Sequence, residues 1–262
     1  MQTQPTISSW AESFEPNTEF HGVVLGVCAS IMLTWIIVGR ILINMDERDG
    51  LKLGSEGREY RLRRIIAWSI IATQTFIFVR RMVYFDLQDS LPLHLCRLGV
   101  WISAWMLWSL DRRARSLTLF WGIGLSAQIF FTPFLKEGYG SLGFWIYWLN
   151  HVQIVGAAVY DIAVLGYRPK WRDLRFASIA GVVYSAIVIG LNAILGTNYS
   201  YLGAGTHEGS SMVDKLGPYP QRTIWIVLIS LLVFVVIFGI SKGLAAIRTR
   251  VLKKPPVREI GA

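Results

Sequence analysis

A histidine, a cysteine and an arginine stand within four residues of one another at His94, Cys96 and Arg97, in the stretch LPLHLCRL (residues 91–98). Histidine exchanges a proton near neutral pH, and beside a hydroxyl or a water it serves as a general base. An arginine one helical turn away can fork onto a phosphate or steady a developing oxyanion. A second set, NHVQ (150–153), brings Asn150, His151 and Gln153 together inside an apolar run. His21 and His207 complete the histidines, and no His-x-x-x-His or Cys-x-x-Cys spacing joins any of them, so no metal site is expected. GAG at 203–205 reads as a loop and not as a phosphate fingerprint, and no cofactor is called for.

The elements that carry these residues are set by composition. Of the 262 residues 53% are hydrophobic and 16% charged, with a mean hydropathy of +0.44; a soluble domain carries about 25% charged residues. The chain therefore reads as an integral membrane protein in which membrane lipids are the surrounding partner. Its net charge of +9 needs no nucleic acid, because basic loops on one side of a bilayer account for it. Seven apolar runs are long enough to cross: 20–43, 63–85, 91–110, 115–134, 141–166, 171–196 and 222–246. Helices are the expected element, since backbone in lipid must satisfy itself within the segment. The expected fold is all-α, a seven-transmembrane-helix bundle forming one polytopic domain over 1–262.

Charge gives the orientation. Drawn with seven spans, 20 of the 26 Lys and Arg fall on one side, in the segments around RDGLKLGSEGREYRLRR, DRRARS, GYRPKWRDLR and the tail RTRVLKKPPVRE. The acidic first twenty residues, with Glu12, Glu15 and Glu19 and no basic residue, fall on the other. The rule that basic loops stay inside places the N-terminus outside and the C-terminus in the cytoplasm. The acidic start also argues for a retained first helix over a cleaved signal.

In that frame LPLHLCRL is the outer end of span three. Pro92 suits a helix's first turn, with His94 near the interface and Arg97 one turn deeper. The other unusual residues share this outer half: His21, Arg80, Arg81, Gln128, Thr132, Asn150, His151, Gln153 and Asn192, with Asn198 and Tyr199 just beyond. Ionisable groups at membrane depth cost several kcal/mol unless they face a wet interior. An outward-opening site is therefore expected, with His94 and His151 as catalytic groups and Arg97, Arg81, Gln128, Asn150, Asn192, Asn198 and Tyr199 lining it. Rival readings stand beside this one. Arg80 and Arg81 could snorkel to headgroups, Asn150 and Gln153 could be interhelical glue, and the stripe Trp101, Trp105 and Trp108 could be packing or anchoring. Cys28 reads as a small hydrophobe, and Asp161 as an inner-end partner for Arg168 or Lys170.

LPLHLCRL, FWGIGLSAQIFFTP (120–133), NHVQIV (150–155), GYRPKWRDL (166–174), NAILGTNYSYLG (192–203) and DKLGPYP (214–220) together resemble the YwaF-like family of bacterial integral membrane proteins. That family is related to the animal transmembrane protein 164, reported as an acyltransferase acting on ether phospholipids. The resemblance implies a multi-pass protein of a cell membrane, the bacterial cytoplasmic membrane, and a lipid substrate. It matches Pro92, His94, His151 and Gly217–Pro218–Tyr219 to family positions. At the family's proposed cysteine nucleophile this chain has Leu93. Cys96, two residues past His94, would sit on another side of an ideal helix and is not expected to replace it. What remains is histidine acting as base on a lipid hydroxyl or water, in acyl transfer or hydrolysis. A transporter or receptor-like binder of a small molecule or lipid is the alternative for the same cavity.

Overall fold

The structure, a computed structural model, describes residues 9–52, 56–204 and 212–252. Among these it is all-helical, with a single isolated bridge between Ser13 and Glu137 in place of any strand. Seven α-helices follow in order: α1 Glu19–Arg48, α2 Arg58–Val83, α3 Leu95–Ser109, α4 Arg112–Leu117, α5 Leu142–Ala163, α6 Trp171–Leu195 and α7 Gln221–Leu252. Six of them each overlie one apolar run, since lipid offers the backbone no other partner, whereas α4 overlaps only residues 115–117 of the run 115–134.

Four of the helices, α1, α2, α6 and α7, are long and apolar enough to cross a membrane. Their outward faces show it. Val23, Ile37, Phe76, Ile187 and Leu232 are each more than half exposed, a large apolar surface that water would not tolerate. The other three helical segments are shorter or more polar, and each buries one face in the bundle. α3 has 15 residues, about 22 Å at 1.5 Å per residue. α4 runs into a π-helical stretch, Thr118–Ser126, and a 3₁₀ turn, Ala127–Phe130. α5 is the central helix, with Asn150–Ala158 buried without a break. Gly122 lets the π-helical stretch close on it, since a Cβ there would meet Ile154 Cγ2 at 3.1 Å.

Local signals fix the helix ends. The Thr18 hydroxyl accepts from His21 N–H at 3.3 Å and the Ser141 hydroxyl from Gly143 N–H at 3.0 Å. These are ordinary caps for orphan first-turn donors. α6 stops at Gly196, whose φ of +66° continues no helix. The start of α3 differs from the expectation. Pro92 does not lie in its first turn: residues 91–94 form a turn, and His94 is the residue capping a helix that begins at Leu95. Leu95 N–H is taken by the Ser200 hydroxyl at 3.0 Å, so the loop 197–203 decides where the helix starts.

At the end of the bundle that carries the loop residues 49–52, 56–57, 110–111 and 164–170, charges are paired. Arg112 forks onto Asp173 at 2.8 and 2.5 Å. Asp161 pairs with Arg115 at 2.7 Å, not with Arg168 or Lys170. The two-residue link Leu110–Asp111 sets α4 against α3 and α6, from where Arg115 reaches Asp161, while Arg168 turns to the carbonyls of Ile162 and Tyr167. Glu59 and Arg63, which belong to a basic stretch in the sequence, are almost wholly buried and 3.3 Å apart.

Candidate functional site

The opposite end gathers the segments 84–94, 131–141 and 196–204. Residues 10–14 run alongside 136–140, with Phe14 N–H on the Lys136 carbonyl at 2.8 Å and Gly138 N–H on that of Glu12 at 3.2 Å. Between these segments and the central helix lies a polar cavity of about 640 Å³. Arg80, Arg81 and Arg97 stand on one side of it, Glu137, Ser141 and Tyr147 on the other, and Cys96, Ser126, Asn150 and His151 also line it.

The expected residues divide. His94, His151, Arg97, Arg81, Gln128 and Asn150 all line this cavity, although they come from different helices and loops. Asn192, Asn198 and Tyr199 do not, and their side chains build the loop instead. Asn192 Oδ1 accepts from the Thr197 hydroxyl at 2.8 Å and Tyr199 N–H at 2.9 Å, and its Nδ2 donates to the Tyr199 carbonyl at 3.0 Å. Asn198 Oδ1 accepts from Gly203 N–H at 2.9 Å. The Tyr199 hydroxyl donates to the Leu87 carbonyl at 2.5 Å, and its ring lies 5.0 Å from that of His94. A buried amide has to spend its donors and acceptors on neighbours, and here the backbone of the turn uses them. His21 packs among Phe14 and Trp148 away from the cavity, and His207 lies outside the described residues.

Arg97 is in the first turn of α3. It is held by the carbonyl and the carboxylate of Asp89 and by the Leu91 carbonyl at 2.9 Å. Arg81 reaches the same carboxylate more loosely, at 3.8 Å. Burial pushes the Asp89 carboxyl up, but the Arg97 and Arg81 guanidiniums beside it outweigh this and hold it below the usual carboxylate range. Two arginines thus share one half-exposed carboxylate, which leaves guanidinium capacity facing the cavity.

The position of Cys96 overturns the expectation drawn from helical phase. That argument set Cys96 and His94 on one ideal helix; because His94 precedes the helix, both residues reach the cavity. The Cys96 thiol lies 3.8 Å from the Ser126 hydroxyl and lines the same cavity as His151. His151 Nδ1 is 2.7 Å from the Tyr147 carbonyl. A carbonyl only accepts, so Nδ1 carries the hydrogen of the neutral ring and Nε2 keeps its lone pair. Nε2 is buried with no hydrogen-bond partner among the described residues, and with Nδ1 occupied it is the nitrogen left for the thiol. His94 is the reverse case. Its Nδ1 accepts from Ser200 N–H at 3.3 Å, so the neutral ring carries its hydrogen on Nε2. One histidine presents an acceptor and the other a donor.

His94, Cys96, Gln128, Phe134 and Tyr201 also border a second, apolar cavity of about 180 Å³ between α6, α7 and the π-helical stretch. Cys96, Ser126 and Tyr147 are thus site residues missed in the sequence. Cys96 was visible there; the others carry no sequence signal apart from the polar type of Ser126 in an apolar run.

Residues 13–240 match the family model described as the TMEM164 family. No curated protein and no solved structure matches the chain.

Proposed function

Since the chain belongs to the TMEM164 family and is an integral membrane protein, we propose that it is an intramembrane enzyme that moves or hydrolyses an acyl group of a membrane lipid, with Cys96 as nucleophile and His151 as its base. The observation that carries this reading is the buried His151 Nε2, left as a bare acceptor beside the only thiol in the cavity among the described residues. In the first step Nε2 takes the thiol proton, sulfur bonds to the ester carbonyl carbon, and the carbonyl electrons move onto oxygen. Collapse breaks the carbon–oxygen ester bond, and the leaving lysolipid oxygen takes the proton back from His151. The resulting thioester is opened by a lipid hydroxyl or by water, deprotonated by the same nitrogen, and the thiol is restored. His94 Nε2–H and the Ser126 hydroxyl are the nearby side-chain donors for the oxyanion. Arg81 and Arg97 suit the phosphate of the headgroup.

The test is transfer or release of a labelled acyl chain by purified protein in lipid nanodiscs. Cys96→Ser is expected to abolish it, and His151→Gln to lower it by roughly 10²- to 10⁴-fold, the usual worth of a general base. Full activity of both variants would overturn the reading. A transporter or receptor-like binder remains the second reading, favoured by the size and polarity of the cavity of about 640 Å³. It would be preferred if both variants still bound a ligand and no acyl product formed. We also infer that all seven helical segments cross the bilayer of a bacterial cytoplasmic membrane, with the N-terminus outside, because 20 of 26 basic residues then lie inside.

A further inference from the structure

The apolar cavity behind Cys96 is built differently from the lipid-facing grooves elsewhere on the bundle. Its walls come from α6 (Gly181, Ser185), α7 (Ser230, Phe234) and the π-helical stretch (Trp121, Leu125). It adjoins the polar cavity, and His94, Cys96, Leu125 and Gln128 border both. Val182, which lines it, is 45% exposed, so its outer side opens between α6 and α7 toward the apolar surface. One wall has no side chain: a Cβ at Gly181 would lie 3.7 Å from Phe234 and 3.8 Å from Trp121 Nε1, ordinary contact, and anything longer would enter the space.

Trp121 adds a second, independent observation. Its ring is 5% exposed, it faces the cavity, and its Nε1–H has no partner among the described residues. A buried indole N–H ordinarily finds an acceptor, and hydrocarbon alone offers none. The occupant that fits is an amphiphile with an oxygen near Trp121 and a hydrocarbon tail toward the membrane.

We propose that this cavity is the acyl-chain subsite of the enzyme. The chain enters between α6 and α7 past Gly181, and its carboxyl end lies by Cys96 with an oxygen accepting from Trp121 Nε1–H. Headgroup and tail are then held in separate compartments that meet at the thiol. An ester of a two-part lipid requires this at the reacting carbon. Gly181 and Ser230 on facing helices set how much chain the site accepts. The inference rests on the acyl-transfer reading for its orientation.

The experiment uses the full chain in nanodiscs with a phosphatidylcholine bearing a photoactivatable diazirine in its acyl chain, the adducts being mapped by mass spectrometry. Adducts are expected on Val182, Ser185, Leu231 and Phe234. They should fall at least fivefold in Gly181→Leu and in Ser230→Leu, which fill the space from opposite walls, while adducts on the groove between α1 and α5, at Val27 and Leu149, stay unchanged as the fold control. The same adducts are expected in Cys96→Ser, so a failure of catalysis and a failure of the subsite come apart. In active protein Trp121→Phe should lower acyl transfer at least tenfold at every chain length, whereas Gly181→Leu should depress long chains and spare short ones. Adducts confined to lipid-facing residues such as Val23 and Trp145, or undiminished in both leucine variants, would overturn the proposal.

Discussion

Arg63 and Glu59 are 2% and 3% exposed, and the Arg63 Nε lies 3.3 Å from Glu59 Oε1. The pair has further partners. The Tyr160 hydroxyl donates to Glu59 Oε1 at 3.0 Å, and Arg63 Nη1 donates to the Leu107 carbonyl and, at 3.4 Å, to that of Trp108. With an effective dielectric near 20, two unit charges at this separation attract by about 5 kcal/mol. Taking both charges out of water offsets much of that, yet removing one partner leaves the other buried and alone, which costs about 3–5 kcal/mol. Glu59→Gln and Arg63→Met are each expected to destabilise by about that amount. The double variant should be far less than the sum, because it removes the stranded charge along with its partner. Reversible unfolding in detergent micelles, followed by circular dichroism for the four chains, gives the coupling directly. Additivity to within about 0.5 kcal/mol would refute the account and return both residues to the solvated basic loop that the sequence suggests.

Asn192→Ala strips three hydrogen bonds from the 197–203 turn, each worth about 1 kcal/mol; faster hydrogen exchange across that turn is expected. Unchanged exchange with weakened lipid binding would make Asn192 a ligand contact after all. The carboxyl of Asp89 is held below its usual range by Arg97 and Arg81, so its stabilising contribution is present above the ordinary value of about 3.9 and is lost as pH falls through the lowered folded value. The difference in Tm between wild type and Asp89→Asn should therefore shrink below about pH 4, and a difference constant from pH 6 to 3 would contradict the pairing. For orientation, a cysteine at Gln88 should label with an impermeant maleimide on intact cells and one at Arg172 only after permeabilisation; the reverse pattern would invert the topology.

The sequence by itself determined the class of fold. Apolar runs can only become helices where backbone has no water to bond, so the order and approximate extent of six of the seven α-helices follow from composition and length, while the run 115–134 folds as the end of α4, a π-helical stretch and a 3₁₀ turn. It also determined the family, through LPLHLCRL, NHVQIV and NAILGTNYSYLG. It picked out six of the lining residues, because a polar group at membrane depth is costly enough to be kept for the interior. Tertiary structure decided what those residues do. Helical phase could not place Cys96, since the Ser200 hydroxyl, more than a hundred residues away in sequence, ends the turn at His94 and starts α3 at Leu95. Nor could it separate Asn192 from Asn150: both are buried amides in apolar runs, but one spends its hydrogen bonds on a loop and the other borders the cavity. Which ring nitrogen of His94 and of His151 keeps its lone pair depends on whether a carbonyl or an N–H happens to face Nδ1. That is a property of chain segments meeting in space, and residue type and spacing carry no record of it.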